Sequence, residues 1–90
     1  MPKPAVGRIV HAFVDPALNN GSGIAPAIIT RVWNDEMVNV RVLVDGNSVP
    51  LWLTSVTLCA NRESAGDVQS HTISSTGSRM PAAVFWPPIV

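Results

Sequence analysis

Val38, Val40, Val42 and Val44 recur at every second position from Met37 to Val44, with Asn39, Arg41 and Leu43 between them. A period of two puts the four valines on one face of a half-buried strand and is foreign to a helix. Asp45-Gly46 follows at once, and glycine accepts the positive φ of a tight turn, so a hairpin is expected here. The chain then returns through Val49, Leu51 and Leu53, with Trp52 and Thr54 on the opposite face. This hairpin predicts an all-β class, and its second face holds Arg41, Trp52 and Thr54, a first candidate ligand surface.

The rest of the chain divides by the same criteria. Gly7 to Val14, GRIVHAFV, is rich in β-branched and aromatic residues and predicts the first strand, which Asp15-Pro16 ends. Asn19 to Gly23 is a loop of turn formers. Ile24 to Trp33 predicts the second strand, with Pro26 near its start, where a missing donor is tolerable. Asn34-Asp35-Glu36 turns the chain into the valine strand, and Val56 to Ala60 continues past a bend as another short strand. Asn61 to Ser78 is polar and serine-rich, with only Val68 and Ile73 to bury; it reads as a mobile excursion or an extra hairpin, without helical periodicity. Val84 to Trp86 is placed to close a sheet, and Pro87-Pro88 stiffens the tail towards polyproline geometry. Five or six short strands in one domain spanning residues 1–90 fit a small, strongly bent SH3-like barrel better than a two-sheet sandwich.

Composition adds an expectation about assembly. The chain is 47% hydrophobic and 13% charged, with a single lysine, Lys3. A domain of 90 residues buries only about 60% of its unfolded surface, so much of this apolar material is expected outside the core. The first strand sharpens the point: Gly7, Ile9, His11 and Phe13 share one face and Arg8, Val10, Ala12 and Val14 the other, neither cleanly polar. Such a strand needs cover on both sides, which predicts a homo-oligomer in which a second subunit supplies one cover. A monomer with scattered exposed apolar groups is the alternative.

Charge and cysteine usage exclude several classes. Six basic and six acidic residues give a formal net charge of zero, which argues against long nucleic acid while leaving room for a small anionic ligand. Cys59 is the only cysteine, so an intramolecular disulfide is impossible and no zinc cluster is expected. The leading MPKPAVGRIV lacks a signal-peptide core and no apolar run reaches spanning length, so no membrane association and a cytoplasmic location are expected.

Catalysis is hard to assemble. A Ser or Cys nucleophile would need histidine support, and only His11 and His71 are present. Asp15, Asp35, Glu36, Asp45, Glu63 and Asp67 all fall in predicted turns or in the polar excursion, and no glycine-rich phosphate loop precedes a helix. A non-enzyme without metal or cofactor is expected. Binding is easier to build. Trp33, Trp52 and Trp86 are flat faces suited to stacking on nucleobases, and Arg8, Arg31 and Arg41 fork onto phosphates. Core or interface packing is the alternative for each tryptophan, and for His11 as well. Arg62 and Arg79, in the polar excursion, read as solvated.

GRIVHA at Gly7 to Ala12, PAIITRVW at Pro26 to Trp33, VNVRVLVDG at Val38 to Gly46, WLTSV at Trp52 to Val56 and FWP at Phe85 to Pro87 occur in that order. Together they resemble a widespread family of very small phage proteins that usually close with a His-Trp-Pro tail. The resemblance leaves out Asn61 to Pro81, and Phe85 stands where the family has histidine. It implies an oligomeric SH3-like barrel similar to the minimal sponge proteins with which phages sequester the cyclic nucleotide signals of CBASS or Thoeris immunity in the host cytoplasm. Residues expected to hold such a ligand are Trp86 or Trp52 by stacking, Arg8 and Arg41 on the phosphates, and His11 and Thr54 by hydrogen bonds. The rival is a protein-binding module whose groove, lined by Trp33 and Trp52, takes a host or virion protein. A purely structural phage component is a third possibility.

Overall fold

A computed structural model describes residues 3–46, 51–77 and 80–88. Five strands, β1 (Ile9–Phe13), β2 (Ile24–Asn34), β3 (Met37–Val42), β4 (Leu51–Cys59) and β5 (Ala83–Phe85), close into a barrel in chain order. One helix, α1 (Arg62–Thr76), joins β4 to β5. The first four strands are antiparallel neighbours, whereas β5 lies parallel to β4 and antiparallel to β1. A parallel pair needs a crossover, and α1 is that crossover.

The valine pattern is borne out: Val38, Val40 and Val42 are fully buried, and Val44 packs against the core they form. Val10, Ala12, Ala25, Ala27, Ile29, Leu53, Val56, Leu58 and Val84 complete the interior with Trp86. A barrel of so few strands encloses little space, which is why alanine and valine dominate the lining.

Three expectations need correction. The tight hairpin expected at Asp45-Gly46 is not seen among the described residues, where β3 ends at Val42 and Val42 pairs with Leu51; residues 47–50 lie outside them. Longer-range bonds override the local turn signal. Asn19 Oδ1 accepts from the Asp45 backbone N–H at 2.6 Å, and Leu43 donates to the Pro26 carbonyl at 2.9 Å. Val49 and Arg79 lie outside the described residues. The bend expected ahead of Val56 is a bulge, but Val56 to Cys59 continue one unbroken β4 and are not another short strand. Thr54 and Ser55 together oppose Asn39, and Ser55 takes φ 56°.

The polar excursion is the third correction, since it is neither loop nor hairpin but the 15-residue α1. Its ends carry it: the Asn61 side chain accepts from Ser64 N–H at 2.9 Å, and Gly77, at φ 72°, closes the last turn in the left-handed conformation. Ala65 is fully buried and Val68 packs beside it against Cys59, Ala83 and Phe85. Gln69 clasps the return segment at both ends of its amide, donating to the Met80 carbonyl at 3.0 Å and accepting from Ala82 N–H at 2.7 Å.

The two-faced first strand is thereby covered from within the chain over part of its length. Val10 and Ala12 face the interior, while Phe13 packs against the cluster that α1 closes. Ile9 is left 44% exposed. Among the described residues no helix is long and apolar enough to cross a membrane.

Candidate functional site

The outer surface of β1, the head of α1 and the segment after β5 enclose a half-open cleft of about 1120 Å³. Arg8, Ile9 and His11 form one wall and Asn61, Arg62 and Glu63 another, while Trp86, Pro87 and Pro88 form a third, with Phe85 and Ile24 at the base. Each wall follows from a local rule. Alternation along β1 sends Ile9 and His11 outward when Val10 points in, and Arg8 is exposed just ahead of the strand, outside that alternation. Asn61 starts α1 beside the end of β4, and Pro87-Pro88 ends the β5 pairing and holds the tail extended.

Within this cleft the Arg8 guanidinium lies over the Trp86 ring, 5.8 Å from its centroid, a cation–π distance. His11 meets Phe85 edge-on, with ring centroids 5.7 Å apart. Trp86 itself is only 8% exposed and belongs to the barrel core, so most of its ring is committed to packing. Its indole Nε1 is buried with no hydrogen-bond partner among the described residues. What the cleft offers a ligand is an apolar floor, two guanidiniums, one imidazole and one carboxylate.

Of the six residues picked from the sequence, Arg8, His11 and Trp86 come together here. Arg41 and Trp52 meet elsewhere: they are direct cross-strand partners on the outer face of β3 and β4, as the alternation predicted, with Ile28 on the other side of Arg41. Trp52 is 51% exposed and keeps a free face. Thr54 is tied to the bulge, donating to Asn39 Oδ1 at 3.1 Å. The three candidate arginines therefore do not converge. Each sits instead beside a tryptophan, Arg8 over Trp86, Arg31 at 4.0 Å from the Trp33 ring centroid, and Arg41 opposite Trp52.

Sequence reading missed the cleft's other wall. Asn61, Arg62 and Glu63 enter the site only because Asn61 to Thr76 becomes a helix pinned against β4 and β5. An Asn-x-x-Ser start, a glutamate in the first turn, no proline as far as Gly77 and the glycine itself were the available signals.

Two further groups bear on chemistry. Cys59 is 8% exposed, and burial, followed by the negative charge of Glu36, pushes its thiol pKa above the ordinary value, so it is held as the neutral thiol. Among the described residues no three His, Cys, Asp or Glu side chains group to hold a metal ion. No protein-family model, curated protein or solved structure matches the chain.

Proposed function

We propose that this protein is a binding protein of the sponge type, which captures a cyclic nucleotide signal in the cytoplasm of a phage-infected host and holds it uncleaved. The observation that carries the proposal is the cleft in which Arg8 stands over Trp86 with His11 close by on β1. A nucleotide brings a flat apolar base and an anionic phosphate. The cleft pairs the apolar side chains of Ile9, Ile24, Phe85 and the two prolines with the forked donors of its arginines. The order of sequence fragments shared with small phage proteins adds to the proposal and supplies its biological setting.

Thermal shift with a panel of cyclic and ADP-ribose-derived nucleotides tests it. A ligand at a thousand times its dissociation constant stabilises the folded state by about 4 kcal/mol, a readily visible rise in melting temperature. The nucleotide is expected back intact after denaturation; recovery of a cleaved product would instead make the protein an enzyme. Light scattering should give a mass well above the 9.6 kDa monomer, because Ile9, Trp33, Met37, Leu51 and Trp52 remain exposed outside the barrel.

A second function, protein recognition in an SH3-like manner, is favoured by one observation. Trp33 and Trp52 are 48% and 51% exposed on the outer surface of β2 to β4, away from the cleft. Silence of the whole nucleotide panel, together with a host or virion protein whose capture is lost in Trp33→Ala, would select it.

A further inference from the structure

Arg62 opens α1 and lines the same cleft as Arg8, from a different element of the fold. Its position is set by rigid neighbours. Asn61 caps the first turn through Ser64 N–H, and the Ala65 N–H returns to the Asn61 carbonyl at 3.2 Å. Fully buried Ala65 joins the cluster of Phe85, and the Phe85 ring meets His11. The head of the helix is thus held at a fixed place relative to β1. Among the described residues neither guanidinium has an ion-pair partner, and the Arg8 guanidinium rests over the Trp86 ring. Arg8 and Arg62 line the cleft with Glu63 as the one acidic residue among the described lining, in a chain whose formal net charge is zero.

We infer that Arg62 is a second phosphate-binding residue of this cleft, so that the cleft selects a ligand with two phosphate groups over one with a single phosphate; the inference rests on the nucleotide reading above. A lone phosphate is held by Arg8 at the edge of the Trp86 ring. A second phosphate on the same ligand reaches the fork of Arg62, and the rigid seating of both elements means little ordering is needed when it does. Glu63, next in the chain, offsets one of the two charges and keeps the cleft from holding any small anion indiscriminately.

Isothermal titration of the full chain with adenine and guanine 3′,5′-cyclic mononucleotides, and with the corresponding cyclic dinucleotides, compares one base and one phosphodiester with two of each, and the Arg62 variants separate the second phosphate from the second base. The parent should favour the better dinucleotide over its mononucleotide by about tenfold or more, the size of one charge-assisted hydrogen bond. Arg62→Ala should erase most of that ratio by weakening the dinucleotide, and Arg62→Lys should restore part of it, since the charge remains and the fork is lost. Circular dichroism should show both variants folded, because Arg62 is exposed at the first helical position. If Arg62→Ala is folded and keeps the parent's ratio, or if the parent binds one phosphate as tightly as two, Arg62 is a solvated residue and only this inference falls. If none of the nucleotides binds the parent at millimolar concentration, the nucleotide reading falls and takes this inference with it.

Discussion

The Trp33 indole donates to Asn39 Oδ1 at 2.8 Å, and that oxygen also accepts from Thr54 Oγ1 and, at 2.8 Å, from Ser55 N–H. A single amide oxygen thereby fixes an exposed tryptophan and satisfies the irregular backbone of the β4 bulge. Asn39→Ala removes the acceptor from all three donors, and the Ser55 N–H has the fewest alternatives. The expected cost is about 2 kcal/mol in chemical denaturation, with a red shift of Trp33 emission as the ring is released. Asn39→Asp keeps the acceptor and should cost clearly less. Equal losses for the two variants would mean that the oxygen is not what matters.

Trp86 carries a conflict between size and polarity. Its ring fills the core beside Val84, yet its Nε1 is buried without a partner among the described residues. Trp86→Phe keeps an aromatic filler and removes the unsatisfied donor, so the two effects nearly cancel and stability should change by about 1 kcal/mol or less. Trp86→Ala leaves a cavity and should cost about 3–5 kcal/mol. Urea melts of the two variants give the comparison. A large loss in Trp86→Phe would show that the donor has a bonded partner in solution.

Arg8 and Arg41 separate the two candidate surfaces. Arg8 lines the cleft, and Arg41 faces Trp52 across the β3–β4 ladder. With a nucleotide that binds the parent, Arg8→Ala should weaken affinity by about tenfold or more, while Arg41→Ala should stay within about threefold. Titration calorimetry reads both. The opposite pattern would move the nucleotide to the outer face around Trp52.

Cys59 gives a pH dependence with a definite sign. Its thiol pKa is raised in the folded state by burial and by Glu36, so the folded protein holds the proton to higher pH than the unfolded chain. That contribution to stability is complete below the unfolded thiol pKa and is lost as pH rises through the folded value. Melting temperature should therefore fall on the alkaline side, and less steeply in Cys59→Ala. Alkylation by iodoacetamide at neutral pH should be slow until denaturant is added. Rapid labelling of the native protein would contradict the burial.

The sequence was most legible where one short-range rule acted alone. Val38 to Val42 alternate and face the core, and Asn34 to Met37 turn as expected, with Asn34 Oδ1 accepting from Glu36 N–H at 2.8 Å. Asp45-Gly46 misled because Asn19, distant in sequence, takes the Asp45 N–H. The helix was hidden for a different reason. Its apolar content is little more than Ala65, Val68 and Ile73, so no stripe is visible, and its stability comes from the caps and from Ala65 against Phe85. Because α1 was unseen, half of the candidate cleft was unseen as well. Arg8, His11 and Trp86 are legible as binding residues by chemical type alone, and only the closure of β1 against β5 brings them onto one surface.

The closing strand β5 is three residues long and returns to β1 from the other end of the chain, carried there by the α1 crossover. Loop-closure entropy has to be met before its few ladder bonds form, so β5 is expected to join last in folding and to open first. Trp86 to Pro88 follow β5 directly, and the cleft exists only while that strand is docked. Anything seated in the cleft then acts as a latch on the barrel's weakest seam. Amide exchange at Val84, Phe85 and Trp86 should slow far more on ligand addition than exchange along β2 and β3, where the ladders are long and already closed.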